Sequence, residues 1–175
     1  MSLNIDLKNI IRSIPDFPEK GVIFRDITPI LSDPAAFKFA IEELQRLTAD
    51  LDFDIILGAE SRGFIFGAPF AIACGKGFVP VRKPGKLPYE KISKSYDLEY
   101  GSSTLEIHAD ALRAGQKVLI LDDLLATGGT ARAIAELVSE LGARVSAMAF
   151  VVELAGLGGR EKCAGFETRS LIAYE

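Results

Sequence analysis

Residues 118–130 read Val-Leu-Ile-Leu-Asp-Asp-Leu-Leu-Ala-Thr-Gly-Gly-Thr, and here residue types and spacing could do chemistry. A continuous apolar run, Val118–Leu121, ends at two adjacent carboxylates, Asp122 and Asp123. A turn of small and hydroxylated residues follows, Ala126, Thr127, Gly128, Gly129 and Thr130, and a helical pattern then begins. The amides of such a turn and the N-terminus of the helix behind it form an anion site. Gly128 and Gly129 let the backbone approach a phosphate, and the Thr127 and Thr130 hydroxyls can donate to its oxygens. Two acids beside that cradle would repel a bare phosphate. They make sense if they accept hydrogen bonds from sugar hydroxyls, or face positive charge that develops during a reaction. A ribose 5-phosphate meets both demands, with its phosphate at 126–130 and its 2′- and 3′-hydroxyls at Asp122 and Asp123. The bland alternative is a strand-to-helix turn with an acidic cap. The stretch is not a P-loop, because the lysine of G-x-x-x-x-G-K-[ST] is missing, and it is not G-x-G-x-x-G.

Two further stretches carry polar groups at suggestive places. Glu60-Ser61-Arg62-Gly63 follows the apolar run Ile55–Leu57 and opens a helical pattern. Arg62 would place a cation whose fork geometry suits phosphate, against the plainer reading of a surface ion pair. Arg82–Thr104 spans 23 residues with five basic and three acidic side chains, two prolines and little apolar periodicity. Loops longer than about 12–15 residues inside a compact domain are usually lids or disordered, although a solvated surface hairpin fits as well.

The elements that must position these residues follow from periodicity. Leu7, Ile10, Ile11 and Ile14 predict an N-terminal amphipathic helix ended by Pro15 and Pro18, with a loop from Asp16 to Ser32. Asp33-Pro34 reads as an N-cap with proline at the first helical position, and Phe37, Ala40, Ile41, Leu44 and Leu47 line that helix. Strands are predicted at 55–57, 78–81, 118–121 and 145–152. Helices are predicted at 63–73, where Pro69 is tolerated or breaks the helix, and around Ile134–Leu141, stopped by Gly142. Near-continuous Val/Ile/Leu strands alternating with helices imply an α/β domain with a parallel sheet covered on both faces. Ligands of such sheets bind beyond the carboxyl ends of the strands.

Composition narrows the classes. The 175 residues fit one domain, 1–175, large enough to bury a core without metals or disulfides. A net charge of -4 and a pI near 5.2 argue against a dedicated nucleic-acid binder. The longest uncharged run, Gly63–Gly75, has 13 residues, whereas a membrane-spanning helix needs about 20. No basic segment followed by an apolar stretch suggests a signal peptide. Cys74 and Cys163 are too few for a disulfide framework, and they read as reduced packing residues of a cytoplasmic protein. The single histidine, His108, excludes a metal site built on several histidines and is taken as structural.

The 118–130 motif resembles the 5-phosphoribosyl 1-diphosphate (PRPP) signature of the type I phosphoribosyltransferases. Residues 21–27, 60–64, 82–88, 98–101 and 159–162 resemble, in the same order, the adenine-using branch of that family, and the likeness covers essentially the whole chain. The resemblance implies that family's fold: a central, mostly parallel sheet flanked by helices, an N-terminal base-recognition hood at about 1–34 and a mobile lid at about 82–104. It implies transfer of 5-phosphoribosyl from PRPP to adenine, giving AMP and pyrophosphate in purine salvage. Glu60, Ser61 and Arg62 would form a pyrophosphate loop with a cis Glu60–Ser61 peptide, joined by Arg82 and Lys86. Phe24 would stack on adenine, Ile23 and Arg25 would read its amino edge through backbone groups, and Leu157 would form the second wall. Glu99 and Tyr100 would take part in catalysis with Asp122 and Asp123. Mg²⁺ would enter on the diphosphate with no protein metal site, and the protein would be a homodimer, with Arg82 or Lys86 serving the diphosphate site of the neighbouring subunit. Neither nucleic acid nor membrane is an expected partner. Two alternatives stay open: a sister enzyme for another base such as xanthine or orotate, and a PRPP-binding regulator that contacts nucleic acid. The preferred base discriminates the first, and the negative net charge argues against the second.

Overall fold

The computed structural model describes residues 5–97 and 101–175, the side chain of Asp97 excepted, as two compact units, 1–43 and 44–175. In the first, α1 (Leu7–Ile10) is capped by the Asp6 carboxylate, which accepts from the Lys8 amide at 3.0 Å. The predicted helix stops there. Ile14 instead belongs to β1 (Arg12–Pro15), which pairs antiparallel with β2 (Ile23–Asp26), Ile14 opposite Phe24. The reason is local: a residue before proline is pushed out of helical conformation, and Pro15 does this to Ile14. The predicted loop 16–32 therefore contains β2 and a short helix, α2 (Thr28–Ser32). The next helix, α3 (Pro34–Leu47), starts as its sequence demands, with Asp33 Oδ1 accepting from the Ala35 amide at 2.8 Å.

The second unit is built on five parallel strands: β3 (Ile55–Ala59), β4 (Gly77–Val81), β7 (Lys117–Leu125), β8 (Arg144–Leu154) and β9 (Thr168–Tyr174). Their order in the sheet is β4-β3-β7-β8-β9. Helix α4 (Arg62–Cys74) joins β3 to β4 and accommodates Pro69, and α5 (Gly129–Glu140) joins β7 to β8. Leu57, Val118, Ile120 and Met148 share one cluster with Ile134, Leu137 and Val138 of α5. The alternate residues Ile56, Leu119 and Leu121 are also fully buried, and α4 packs on β3 and β7. Burial of both faces is why these strands read as unbroken apolar runs. Strand β9 had no counterpart among the predicted elements, because Arg169 and Ser170 interrupt its apolar pattern.

The polar segment after β4 is a hairpin. Strands β5 (Lys91–Asp97) and β6 (Ser102–His108) pair antiparallel, and Arg82 exchanges two backbone hydrogen bonds with Glu106. Ile92 and Tyr96 pack against the α5 side of the core. Its tip, with Glu99 and Tyr100, lies outside the described residues.

Candidate active site

Parallel pairing of β3 with β7, Gly58 opposite Leu121, brings two strand-to-helix turns to the same edge of the sheet. The turn after β3 carries Glu60 and Ser61, and α4 starts at Arg62. The turn after β7 runs through Ala126 to Gly128, and α5 starts at Gly129. Between them opens a crevice of about 460 Å³. It is lined by Glu60, Ser61 and Arg62 on one side, and by Asp122, Asp123 and Ala126 to Thr130 on the other. Lys83 and the hairpin residues Tyr96 and Ser103 complete the walls.

The acids stand inside the strand rather than after it. β7 was expected to end near Asp122, but pairing continues with Leu124 opposite Val152 and Leu125 opposite Glu153. The eleven-residue β8 supplies the partners. Asp123 is buried, with Oδ2 3.0 Å from Arg62 Nε. The Asp123 amide donates to Asp122 Oδ1 at 2.9 Å. Burial first, and the neighbouring Asp123 charge second, raise the Asp122 carboxyl well above its ordinary value of 3.8. Burial also raises Asp123, opposed by the Arg62 guanidinium. The adjacent cation favours charge on Asp123, which leaves Asp122 the more strongly raised of the two.

The first turn has its own network. The Glu60–Ser61 peptide is cis, at the bond the resemblance implied. Glu60 Oε2 accepts from Arg82 Nε and from the Lys83 amide, each at 2.9 Å. These contacts, Arg82 first, hold the Glu60 carboxyl below its ordinary value. Gly63, in the first turn of α4, faces Asp122 so closely that a Cβ there would lie 2.7 Å from Oδ1. In the second turn Gly128 has φ +80°, a conformation that side chains rarely adopt.

The crevice thus gathers Glu60, Ser61, Arg62, Asp122, Asp123 and the 126–130 loop, residues far apart in the chain. Arg82 stands behind this lining, bonded to Glu60, and Lys86 and Leu157 are exposed outside it. Ile23, Phe24 and Arg25 form β2 of the N-terminal unit, where the Phe24 ring meets Phe17 edge-on at 5.2 Å. Sequence reasoning missed Lys83, Ser103 and Tyr96. The Tyr96 hydroxyl is 3.0 Å from Thr130 Oγ1, so the hairpin touches the 126–130 segment. The alternation of half-buried Ile92, Lys94 and Tyr96 was the available signal, blurred by a lysine in the inward row.

A family model described as a phosphoribosyl transferase domain matches residues 28–165. The adenine phosphoribosyltransferase of Thermotoga neapolitana is 57% identical over 170 residues, 97% of this chain and 100% of that protein. That of Kosmotoga olearia is 55% identical over the same shares. The crystal structure of the Thermoanaerobacter pseudethanolicus adenine phosphoribosyltransferase superposes with a TM-score of 0.94 at 54% identity, covering 96% of this chain and 98% of the other. The Saccharomyces cerevisiae enzyme, complexed with adenine and an imino-altritol bisphosphate, gives 0.88 at 43% identity, covering 94% and 96%.

Proposed function

The chain belongs to the phosphoribosyltransferase family and, within it, to the adenine phosphoribosyltransferases, and from that premise we propose how its residues divide the work. The reaction moves the 5-phosphoribosyl group of PRPP to N9 of adenine. The C1–O bond to diphosphate breaks, the C1–N9 bond forms, and the purine ring gives up one proton, at N7. One observation carries the assignment of roles: parallel pairing of β3 and β7 sets the Glu60–Arg62 turn and the Asp122–Thr130 segment on either side of one crevice.

The 126–130 loop takes the 5′-phosphate on the amides that open α5, with the Thr127 and Thr130 hydroxyls as donors. Asp122 and Asp123 accept from the ribose hydroxyls and face the positive charge that grows at C1. The diphosphate lies on the Glu60–Ser61–Arg62 turn. Glu60, itself an acceptor, serves there by holding Arg82, and Lys86 adds cationic charge. Catalysis is then chiefly orientation and electrostatic stabilisation. Phe24 stacks on the base, backbone groups of Ile23 and Arg25 read its amino edge, and Leu157 closes the other side. Glu99 and Tyr100 manage the proton at N7 of the purine. Residues 1–34 act as hood and 82–104 as lid of one catalytic domain.

Mg²⁺ would enter on the diphosphate and would offset its charge. The chemistry fits: this cation keeps several waters and binds through substrate oxygens. No group of three or more His, Cys, Asp or Glu side chains suited to a metal stands among the described residues. A homodimer is part of the proposal, supported by Ile65 and Ile72, exposed seven residues apart on α4. So is a cytoplasmic site of action, in keeping with the free thiols Cys74 and Cys163. No described helix is long and apolar enough to cross a membrane.

The test is AMP formation from PRPP and Mg²⁺ with each of five bases. Adenine should exceed hypoxanthine by at least about 100-fold in kcat/KM, because the wrong base edge leaves a buried donor or acceptor unpaired. Comparable rates with both bases would reject the assigned base pocket.

A further inference from the structure

Two buried carboxylates of the second unit, Glu106 and Glu153, lie outside the crevice, and the second is bonded at both oxygens. Glu153, near the end of β8, is 4% exposed. Its Oε1 accepts from Arg160 Nε at 2.7 Å, and its Oε2 accepts from Arg160 Nη2 at 2.6 Å. The Ser170 hydroxyl of β9 donates a third bond to Oε2, at 2.7 Å. Arg160 Nη1 donates to the Thr168 carbonyl at 2.6 Å. The guanidinium fork thus ties the short helix α6 (Gly159–Lys162) to β8 and β9 at once. The pair also closes a loop that carries a 3-10 turn, Ala155–Leu157, and Gly158.

That helix abuts the phosphate loop. A Cβ on Gly159 would lie 2.2 Å from the Ala126 carbonyl oxygen and 2.9 Å from the Leu125 side chain. A Cβ on Gly128 would lie 2.7 Å from the Gly159 carbonyl oxygen and 2.9 Å from Lys162 Cβ. The 126–128 turn therefore rests on Gly159 with no intervening space. Glu153 also stands opposite Leu125 in the β7–β8 register. Neither Glu153 nor Arg160 lines the crevice.

We propose that the Glu153–Arg160 pair is a positioning device for the substrate phosphate: it presses Gly159 against Ala126 and Gly128 and so sets the curvature of the 126–130 loop. The inference rests on the reading that this loop holds the 5′-phosphate. Loss of the fork should loosen the loop without touching the reacting atoms or the base.

The experiment compares wild type with Arg160→Ala and Arg160→Lys, the latter keeping the charge but not the bidentate fork. Ribose 5-phosphate binding is measured by calorimetry. Both substrate KM values, kcat and thermal stability are measured alongside. In Arg160→Lys the PRPP KM and the ribose 5-phosphate Kd should rise at least about fivefold, with kcat and the adenine KM within about twofold of wild type. Arg160→Ala should show a larger effect in the same direction. If Arg160→Ala fails to fold, Arg160→Lys decides. A melting shift with unchanged PRPP KM and ribose 5-phosphate Kd would reduce the pair to a structural brace and overturn the inference. A rise in the adenine KM alone would overturn it too, by moving the pair's effect to the base side. Absence of ribose 5-phosphate binding by wild type would instead overturn the phosphate reading, and the inference with it.

Discussion

At the scale of single residues, Asp122 sets function against stability. Its carboxyl is raised above its ordinary value of 3.8, by burial first and Asp123 second. The folded chain therefore keeps a proton that the unfolded chain releases once the pH passes about 4. Stability falls as pH rises through that window, since the unfolded state there binds fewer protons. Asp122→Asn removes the ionisation. Its melting temperature without ligand should exceed that of wild type at pH 7, and the gap should shrink toward pH 4. Its kcat/KM should fall at least about tenfold. Equal activity loss and stability loss at pH 7 would mark Asp122 as a folding residue. Glu99 belongs to the same scale. General acid–base contributions run about 10²–10⁴-fold, so Glu99→Gln should slow single-turnover AMP formation at least tenfold. A wild-type rate would remove Glu99 from the chemistry.

At the scale of elements, the two turns that flank the crevice depend on backbone conformation. Gly128 has φ +80° and no room for a Cβ beside Gly159. Gly128→Ala should raise the PRPP KM at least about tenfold. It should also cost about 1–3 kcal/mol of stability in denaturant unfolding, through strain at that φ. An unchanged PRPP KM in a folded Gly128→Ala protein would mean that this turn does not grip the phosphate. The hairpin β5–β6 was the least legible element. Its sequence alternates, but Lys94 occupies an inward position because Glu136 of α5 meets its ammonium at 2.8 Å. A polar residue satisfied by a distant partner breaks the pattern from which a strand is read. The same holds for β9, where Arg169 ion-pairs with Asp50 and Glu167, and Ser170 bonds to Glu153. The failure at Ile14 was of another kind, since Pro15 overrode an apparent helical period.

At the scale of the whole molecule, assembly is the open variable. Ile72 of α4 is 82% exposed in the single chain, an unusual place for a large aliphatic residue. Within one chain, Ile72→Glu should be nearly neutral, because the side chain is already in water. If α4 faces a second copy, the variant should sediment as a monomer where wild type sediments as a dimer, with the melting temperature of the dilute chain little changed. A dimer of undiminished strength would place the subunit contact elsewhere.

Local segments whose geometry lies in their own backbone were legible from the amino-acid order alone. Val118–Thr130 is one in part: strand, glycine turn and helix start are contiguous and read in that order, although the strand runs on past the two acids to Leu125. Asp33-Pro34 before α3 and Gly142 after α5 are others, because capping is decided within a turn. Tertiary structure decided the rest. The strand order β4-β3-β7-β8-β9 sets Arg62 beside Asp123, and long-range packing brings Glu153 to Ser170 and Tyr96 to Thr130. Those pairs are separated by 61, 17 and 34 residues, beyond the reach of any periodicity. Burial, which raises the Asp122 carboxyl, likewise exists only once α4 and the sheet have closed around it. A residue's chemistry is written in its side chain, but its charge state and its partners depend on what the fold brings within a few ångströms.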